Sequence, residues 1–198
     1  MSSAALGGGI DASDATVLAG ALGTGGPKTA LVALSGEVLG VAHQRVEPTV
    51  GADGSATQDP EAWWSAVVAG AREVTATCPR ARDRLVAVAV TGQWGSTVPV
   101  DAGGAPVGEC LLWMDTRGRE LAAAAVGGPR AIEGFAPHTA LRGIRRAGGA
   151  PSPEGNDPLG HRLWLRHHAP DITRAAAWYL EPLDFLNLRF TGRVAATQ

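Results

Sequence analysis

The run Leu85–Thr91, Leu-Val-Ala-Val-Ala-Val-Thr, limits the fold more than any other stretch of the chain. An uninterrupted apolar segment of this length predicts a strand buried on both faces. The segment before it is helical in pattern. Trp63, Trp64, Val67, Val68, Ala71 and Val74 recur at helical spacing, with Asp59 placed as N-cap and Pro60 at the first helical position. That helix is predicted to run from Pro60 to about Thr77 and to end before Pro79. A strand reached through a helix lies parallel to an earlier strand, so a purely antiparallel fold is excluded.

The earlier strands are easy to find. Thr16–Leu22, Lys28–Leu34 and Val38–Glu47 are separated by the turns Gly23–Pro27 and Ser35-Gly36-Glu37, which predicts a β-meander. Beyond the parallel strand, Ser96–Val100 and Val107–Trp113 read as strands around the turn Asp101-Ala102-Gly103-Gly104, and Arg117–Val126 reads as a helix. Residues 127–160 are rich in Gly, Pro and scattered charge, as in a loop region. A helix from His161 to near Pro170 follows, then a short strand, a break at Pro182 and a helix ending at Gly192. The order βββαββ followed by helices predicts a mixed α/β fold with flanking helices, the order of a ribonuclease H-like domain. Residues 1–15 are small and glycine-rich and read as a loose leader.

Composition removes several classes of function. With a net charge of −2 and no run of five Lys or Arg (the nearest is Leu141–Arg146), nucleic acid is not an expected partner. No stretch of 18 apolar residues could span a membrane, and the N-terminus lacks the charged and apolar regions of a signal peptide. Cys78 and Cys110 are far apart and form no CxxC, which argues against a thiolate metal site; two free cysteines fit a cytoplasmic protein, and the pair would also allow one disulfide. No GxSxG, HExxH or GxxxxGK[ST] is present. Gly7, Gly9 and Ala12 match the dinucleotide-turn pattern by letter, but only six residues precede them and no helical pattern follows. His161, His167 and His168 share a short helix without a metal-binding spacing, and the six tryptophans are expected mostly in the core.

Three stretches could carry chemistry. In Gly23-Thr24-Gly25-Gly26-Pro27-Lys28, glycines allow positive φ, backbone amides can converge on an anion, and Thr24 and Lys28 add a hydroxyl and a cation. From local features alone a plain hairpin that needs glycine to turn is the favoured reading of the same residues. Gln93 and Trp94 sit just past the C-terminal end of the predicted parallel strand, where open α/β sheets bind ligands. An amide and an indole suit a polyhydroxylated molecule, or else a turn and a core residue. Trp113, Asp115 and Arg117 cluster at the end of an apolar run; Asp115 either pairs with Arg117 or accepts ligand hydroxyls.

In this order, the stretches resemble the FGGY carbohydrate kinases. Ala21–Gly40 is similar to the family's phosphate hairpin, Gln58–Trp64 to its first helix start, Ala87–Val107 to its next strand pair, and Leu112–Arg117 to its tryptophan–acid–arginine stretch. Trp164–Thr197 is similar to its closing segment, so the resemblance covers residues 16–198. It implies a ribonuclease H-like domain of the actin and hexokinase type, the sugar-binding N-terminal portion of an enzyme that moves the γ-phosphoryl of Mg²⁺-ATP to a sugar or polyol hydroxyl. It further implies that Gly23, Thr24, Gly25, Gly26 and Lys28 lie near the phosphate and that Gln93, Trp94, Trp113 and Asp115 bind substrate. The catalytic base and the ATP-binding C-terminal domain would lie beyond residue 198, leaving this portion inactive alone, and a homodimer is compatible with the resemblance. Three departures stand out. Ala21 occupies the position of the family's metal-organising aspartate, Trp94-Gly95 replaces the Met-His of xylulose kinases, and His161 replaces a signature lysine. These departures allow an alternative, a non-catalytic sugar-binding or regulatory module with the same fold.

Overall fold

In chain order the strands and helices are β1 (Thr16–Gly23), β2 (Gly26–Ala33), β3 (Val38–His43), β4 (Thr49–Val50), β5 (Ala56–Gln58), α1 (Pro60–Thr77), α2 (Pro79–Arg82), β6 (Leu85–Gly92), β7 (Val98–Val100), β8 (Cys110–Leu111) and α3 (Arg119–Val126). They continue as α4 (Pro158–His168), α5 (Pro170–Ala175), β9 (Trp178–Leu180) and α6 (Pro182–Thr191). This computed structural model describes residues 14–127, 136, 137, 141, 144, 145 and 151–195. Most of the predicted leader, with its Gly7–Ala12 motif, and much of the loop region after Gly127 lie outside the described residues.

The chain forms two units. The first joins the described part of Met1–Glu47 to Glu61–Gly92. Its sheet has the order β3-β2-β1-β6. The first three strands are an antiparallel meander, and β6 pairs with β1 in parallel, as the helical crossover requires. One face is closed by α1. Leu18, Leu31 and Ala42 from the three meander strands pack with Val74 of the helix, ringed by Leu39, Ala71, Cys78, Ala81 and Leu85. Burying side chains the size of Leu18 and Leu31 contributes on the order of 1.5–3 kcal/mol each. Trp63 and Val67, two of the periodic positions, are also buried.

The second unit comprises Pro48–Pro60 and the described part of Gln93–Gln198. It holds a three-stranded antiparallel sheet, β4-β5-β8, and the antiparallel pair β7-β9. Its core includes Val98, Val100, Leu112, Val126, Leu165, Phe185 and Leu186. The carboxylate of Asp157 caps α4, accepting from the Gly160 amide at 3.0 Å. The last described helix starts at Pro182 and stops at Gly192, which takes a left-handed conformation (φ +69°), as the proline–glycine punctuation predicts.

Several expectations need correction. The strand Leu85–Gly92 is not buried on both faces: it is an edge strand of its sheet, and Val86 and Val88 are exposed among the described residues. Apolarity records what a surface can bury, and it does not say whether an element lies over it. The first turn is tighter than Gly23–Pro27, since Gly23 pairs with Gly26 and only Thr24 and Gly25 intervene. The third strand ends at His43, the strand predicted over 107–113 shrinks to Cys110–Leu111, and α3 starts at Arg119 rather than Arg117. β4, β5 and α2 are too short to leave a periodic signal. The helix predicted from His161 begins at Pro158, behind its Asp157 cap. Of the six tryptophans only Trp63 is fully buried, whereas Trp94, Trp113 and Trp178 are exposed. An indole has a large apolar face and one N–H, so a strand end suits it as well as a core.

Candidate functional site

The glycine hairpin and the residues after β6 fall in different units, and each makes its own arrangement. In the first, strand register places His43, Lys28, Ala21 and Thr91 side by side across β3, β2, β1 and β6. All four are exposed on one face of the sheet. The turn Thr24-Gly25 projects just beyond this row. Its shape depends on Gly26, which has φ +114° and whose absent Cβ would collide with the Gln44 carbonyl oxygen. The chain after β3 runs back along the hairpin: Gln44 N–H donates to the Pro27 carbonyl at 3.1 Å, and Val46 N–H to the Gly25 carbonyl at 3.2 Å.

The row tests the family's usual metal and nucleotide. Lys28 and His43 offer nitrogen, Thr91 a hydroxyl, and Ala21 a methyl group where an anionic oxygen is needed. A hard dication takes oxygen ligands with carboxylates among them, so this row does not fit Mg²⁺. An exposed lysine beside a glycine turn does fit a phosphate group.

The second arrangement is a cavity of about 350 Å³ lined by Gln93, Trp94, Gly95, Trp113, Ser152, Asn156 and Asp157. Trp94 is 82% exposed and Trp113 45% exposed, so two indoles that are partly open to solvent border it. Gly95 adopts φ +77°, and a Cβ there would sit 3.5 Å from Cβ of Trp113, so the loop lies close against the second tryptophan. The Ser96 hydroxyl accepts the Trp113 backbone N–H at 3.0 Å and ties the two segments together. Across the cavity, Asp157 accepts from Ser152 N–H at 2.5 Å while capping α4, which fixes the Ser152–Asp157 turn.

Three of the four predicted substrate residues, Gln93, Trp94 and Trp113, line this cavity; Asp115 does not. It is fully buried. Its oxygens accept from Ala56 N–H (3.0 Å), Arg117 N–H (3.1 Å), Arg117 Nε (3.0 and 3.1 Å) and an Arg117 terminal nitrogen (2.6 Å). The Arg117 guanidinium in turn lies 3.8 Å from the centre of the Trp164 ring. Asp115 thus supports the turn after Trp113 from behind. His161 is another support: it is buried, its Nδ1 is 2.9 Å from the Thr97 hydroxyl, and burial pushes its pKa below the usual histidine value. Ser152, Asn156 and Asp157 were not foreseen; their only signal is Asn156-Asp157-Pro158, an N-cap followed by a proline. A larger cavity, about 700 Å³, lies at the other end of the first unit's sheet beside Thr16, Ala33, Glu37, Cys78 and Arg84, and holds none of the predicted residues.

The profile of the FGGY family of carbohydrate kinases, N-terminal domain, matches residues 17–127, more than half of the chain. The chain belongs to the FGGY family of carbohydrate kinases. Two relatives are xylulose kinases of Streptomyces coelicolor, 31% identical over 77% of this chain and 29% of the relative, and of Streptomyces rubiginosus, 32% identical over the same shares. Among solved structures, a xyloylose kinase from Brucella ovis superposes with a TM-score of 0.78 at 24% identity, over 90% of this chain and 34% of that one. A gluconate kinase from Lactobacillus acidophilus gives 0.75 at 17% identity, over 90% and 34%. These structures share the fold: a mixed α/β domain of the actin and hexokinase type. The FGGY chain spans about a third of the length of the relatives it matches. Among the described residues, no helix is long and apolar enough to cross a membrane.

Proposed function

We propose that this FGGY chain is the sugar-binding N-terminal part of an ATP-dependent carbohydrate kinase, with the acceptor seated in the cavity between Trp94 and Trp113. The observation that carries the reading is the lining itself. Two indoles offer faces to C–H surfaces of a sugar, and the Gln93 and Asn156 amides and the Ser152 hydroxyl can donate to and accept from its hydroxyls. No lysine or arginine is among these residues, and Asp157 is. A neutral pentulose, hexose-type sugar or polyol suits that chemistry, whereas an aldonate or a sugar phosphate would meet a carboxylate with no lysine or arginine among the described lining residues. The relatives named for xylulose agree with a neutral acceptor.

Thr24, Gly25 and Lys28 supply groups for a phosphate at the hairpin, where Lys28 would steady negative charge. Bound ATP would supply the transferable γ-phosphoryl group. Its adenosine is assigned to a further domain of the whole protein, as is the base that takes the acceptor proton. The protein is placed in the cytoplasm, where sugar and nucleotide meet.

Ala21 favours a second reading, a sugar-binding module that has lost the phosphoryl transfer, because the hairpin row does not fit Mg²⁺. The two readings separate in one experiment. The full-length protein is assayed for ADP release with pentuloses, hexuloses and polyols, as Ala21 and as Ala21→Asp. Turnover by either form supports the kinase; none by both, with calorimetric binding of a sugar retained, supports the module.

A further inference from the structure

Gly95 lines the acceptor cavity without contributing a side chain to it. Its backbone has φ +77°, a conformation that asparagine also tolerates, so the turn by itself does not demand glycine. The space beside it does. A Cβ on residue 95 would stand 3.5 Å from the Cβ of Trp113 and 3.9 Å from the Asn156 carbonyl oxygen, both ordinary contact distances. Among the described residues, chain neighbours apart, nothing else would come within 4 Å of it. Trp113 and Asn156 are themselves lining residues. The missing side chain therefore leaves a notch in the cavity wall, between the Trp113 segment and the turn before α4.

Both sides of the notch are tied in place. The hydroxyl of Ser96, next in the chain to Gly95, accepts the Trp113 N–H at 3.0 Å and holds the loop against one side. Asp157 accepts from Ser152 N–H at 2.5 Å and from Gly160 N–H at 3.0 Å, which fixes the turn that presents the Asn156 carbonyl. An unfilled space between braced segments forfeits contacts along its lining, and a ligand atom that enters it gains them.

We infer that Gly95 is a specificity-determining residue of the acceptor cavity: its notch takes the acceptor's terminal hydroxymethyl group, at the end that does not react, so a six-carbon ketose or polyol is preferred to its five-carbon counterpart. The inference rests on the sugar-cavity reading and says which sugars within it are favoured. A carbon in the place of the absent Cβ lies at van der Waals distance from Trp113. Its hydroxyl, one bond farther on, comes within hydrogen-bond reach of the Asn156 carbonyl. A carbonyl oxygen only accepts, so the group that meets it is a donor: a hydroxyl, not a keto oxygen or a carboxylate. A side chain at residue 95 would take the carbon's place.

The test uses the full-length protein, as the parent, as Gly95→Asn, which tolerates the positive φ, and as Gly95→Ala, whose methyl group fits the notch by distance. Hexuloses and hexitols are compared with pentuloses and pentitols, by ADP release and by calorimetry, and thermal melting checks folding. The parent should favour six-carbon acceptors by about tenfold in kcat/KM or Kd, and either substitution should bring that ratio down to about one. One of the two terminally deoxygenated fructoses, the one that lacks the notch hydroxyl, should bind the parent no better than a pentulose does. A merely structural effect of the substitutions weakens both classes alike and leaves the ratio unmoved. A parent that prefers pentuloses, a ratio unchanged in a folded variant, or deoxygenated fructoses that both bind like fructose overturns the inference and leaves the sugar-cavity reading standing. The deoxygenated pair decides the point without any variant, should neither fold. The expected ratios in binding, with no ADP release, uphold the inference and overturn the kinase reading. A parent that binds no sugar overturns the inference and the sugar-cavity reading together.

Discussion

The hairpin row of the first unit and the cavity of the second differ in how they are built. The hairpin row is local. Ala21 and Lys28 face each other across one antiparallel pair, and the turn between them is two residues long. The cavity is assembled from three segments, 93–95, 113 and 152–157, and braced from behind by Asp115 and His161. A local site can lose one group and keep its shape. An assembled site depends on buried supports whose removal affects folding and binding together.

The comparison can be pressed hardest at Ala21. Ala21→Asp adds an anionic oxygen to an exposed row beside Lys28 and should leave stability within about 0.5 kcal/mol. If the kinase reading holds, ADP release by the full-length protein should rise at least about 100-fold, the usual scale for a missing electrostatic group. An unchanged rate in a protein already active as Ala21 would show that the hairpin needs no acid.

Asp115 tests the other region. Asp115→Ala strands the Arg117 guanidinium and the Ala56 and Arg117 amides in a buried setting, so unfolding free energy should fall by about 3 kcal/mol in urea titrations. A loss below about 1 kcal/mol would show that Asp115 is not a support. Trp94→Ala should do the reverse: being 82% exposed it should barely change stability, yet weaken sugar binding by about tenfold in calorimetry.

The smallest effect is expected from pH. The folded-state pKa of His161 is depressed by burial, so its contribution is present above the unfolded value near 6.5 and is lost as pH falls below it. Glu181 runs the other way: its pKa is raised from 4.5 to about 7, so its contribution is full below 4.5 and is lost as pH rises through 7. Urea titrations at pH 5 and 7 should show the His161 slope disappear in His161→Gln.

The unevenness of the sequence reading follows from the same contrast. The meander, the crossover helix from Pro60 and the parallel strand at Leu85 were legible because each depends on periodicity and punctuation within one stretch. That Gln93, Trp94 and Trp113 come to one cavity was legible in part, because they end apolar runs. Asp115 offered two roles that only its partners could decide, and Ser152 and Asn156 are ordinary loop residues until the chain brings them near the tryptophans.

By itself the sequence determined the order of strands and helices, the hairpin with its missing acid, and the FGGY family. Local patterning and turn chemistry are written in neighbouring residues. Only the tertiary structure decided that Leu85–Gly92 stays exposed at the edge of its sheet, which carboxylate is a buried brace, and which residues enclose the cavity. Those outcomes depend on partners far along the chain, and burial, ion pairing and pKa are properties of the assembled neighbourhood rather than of the residue.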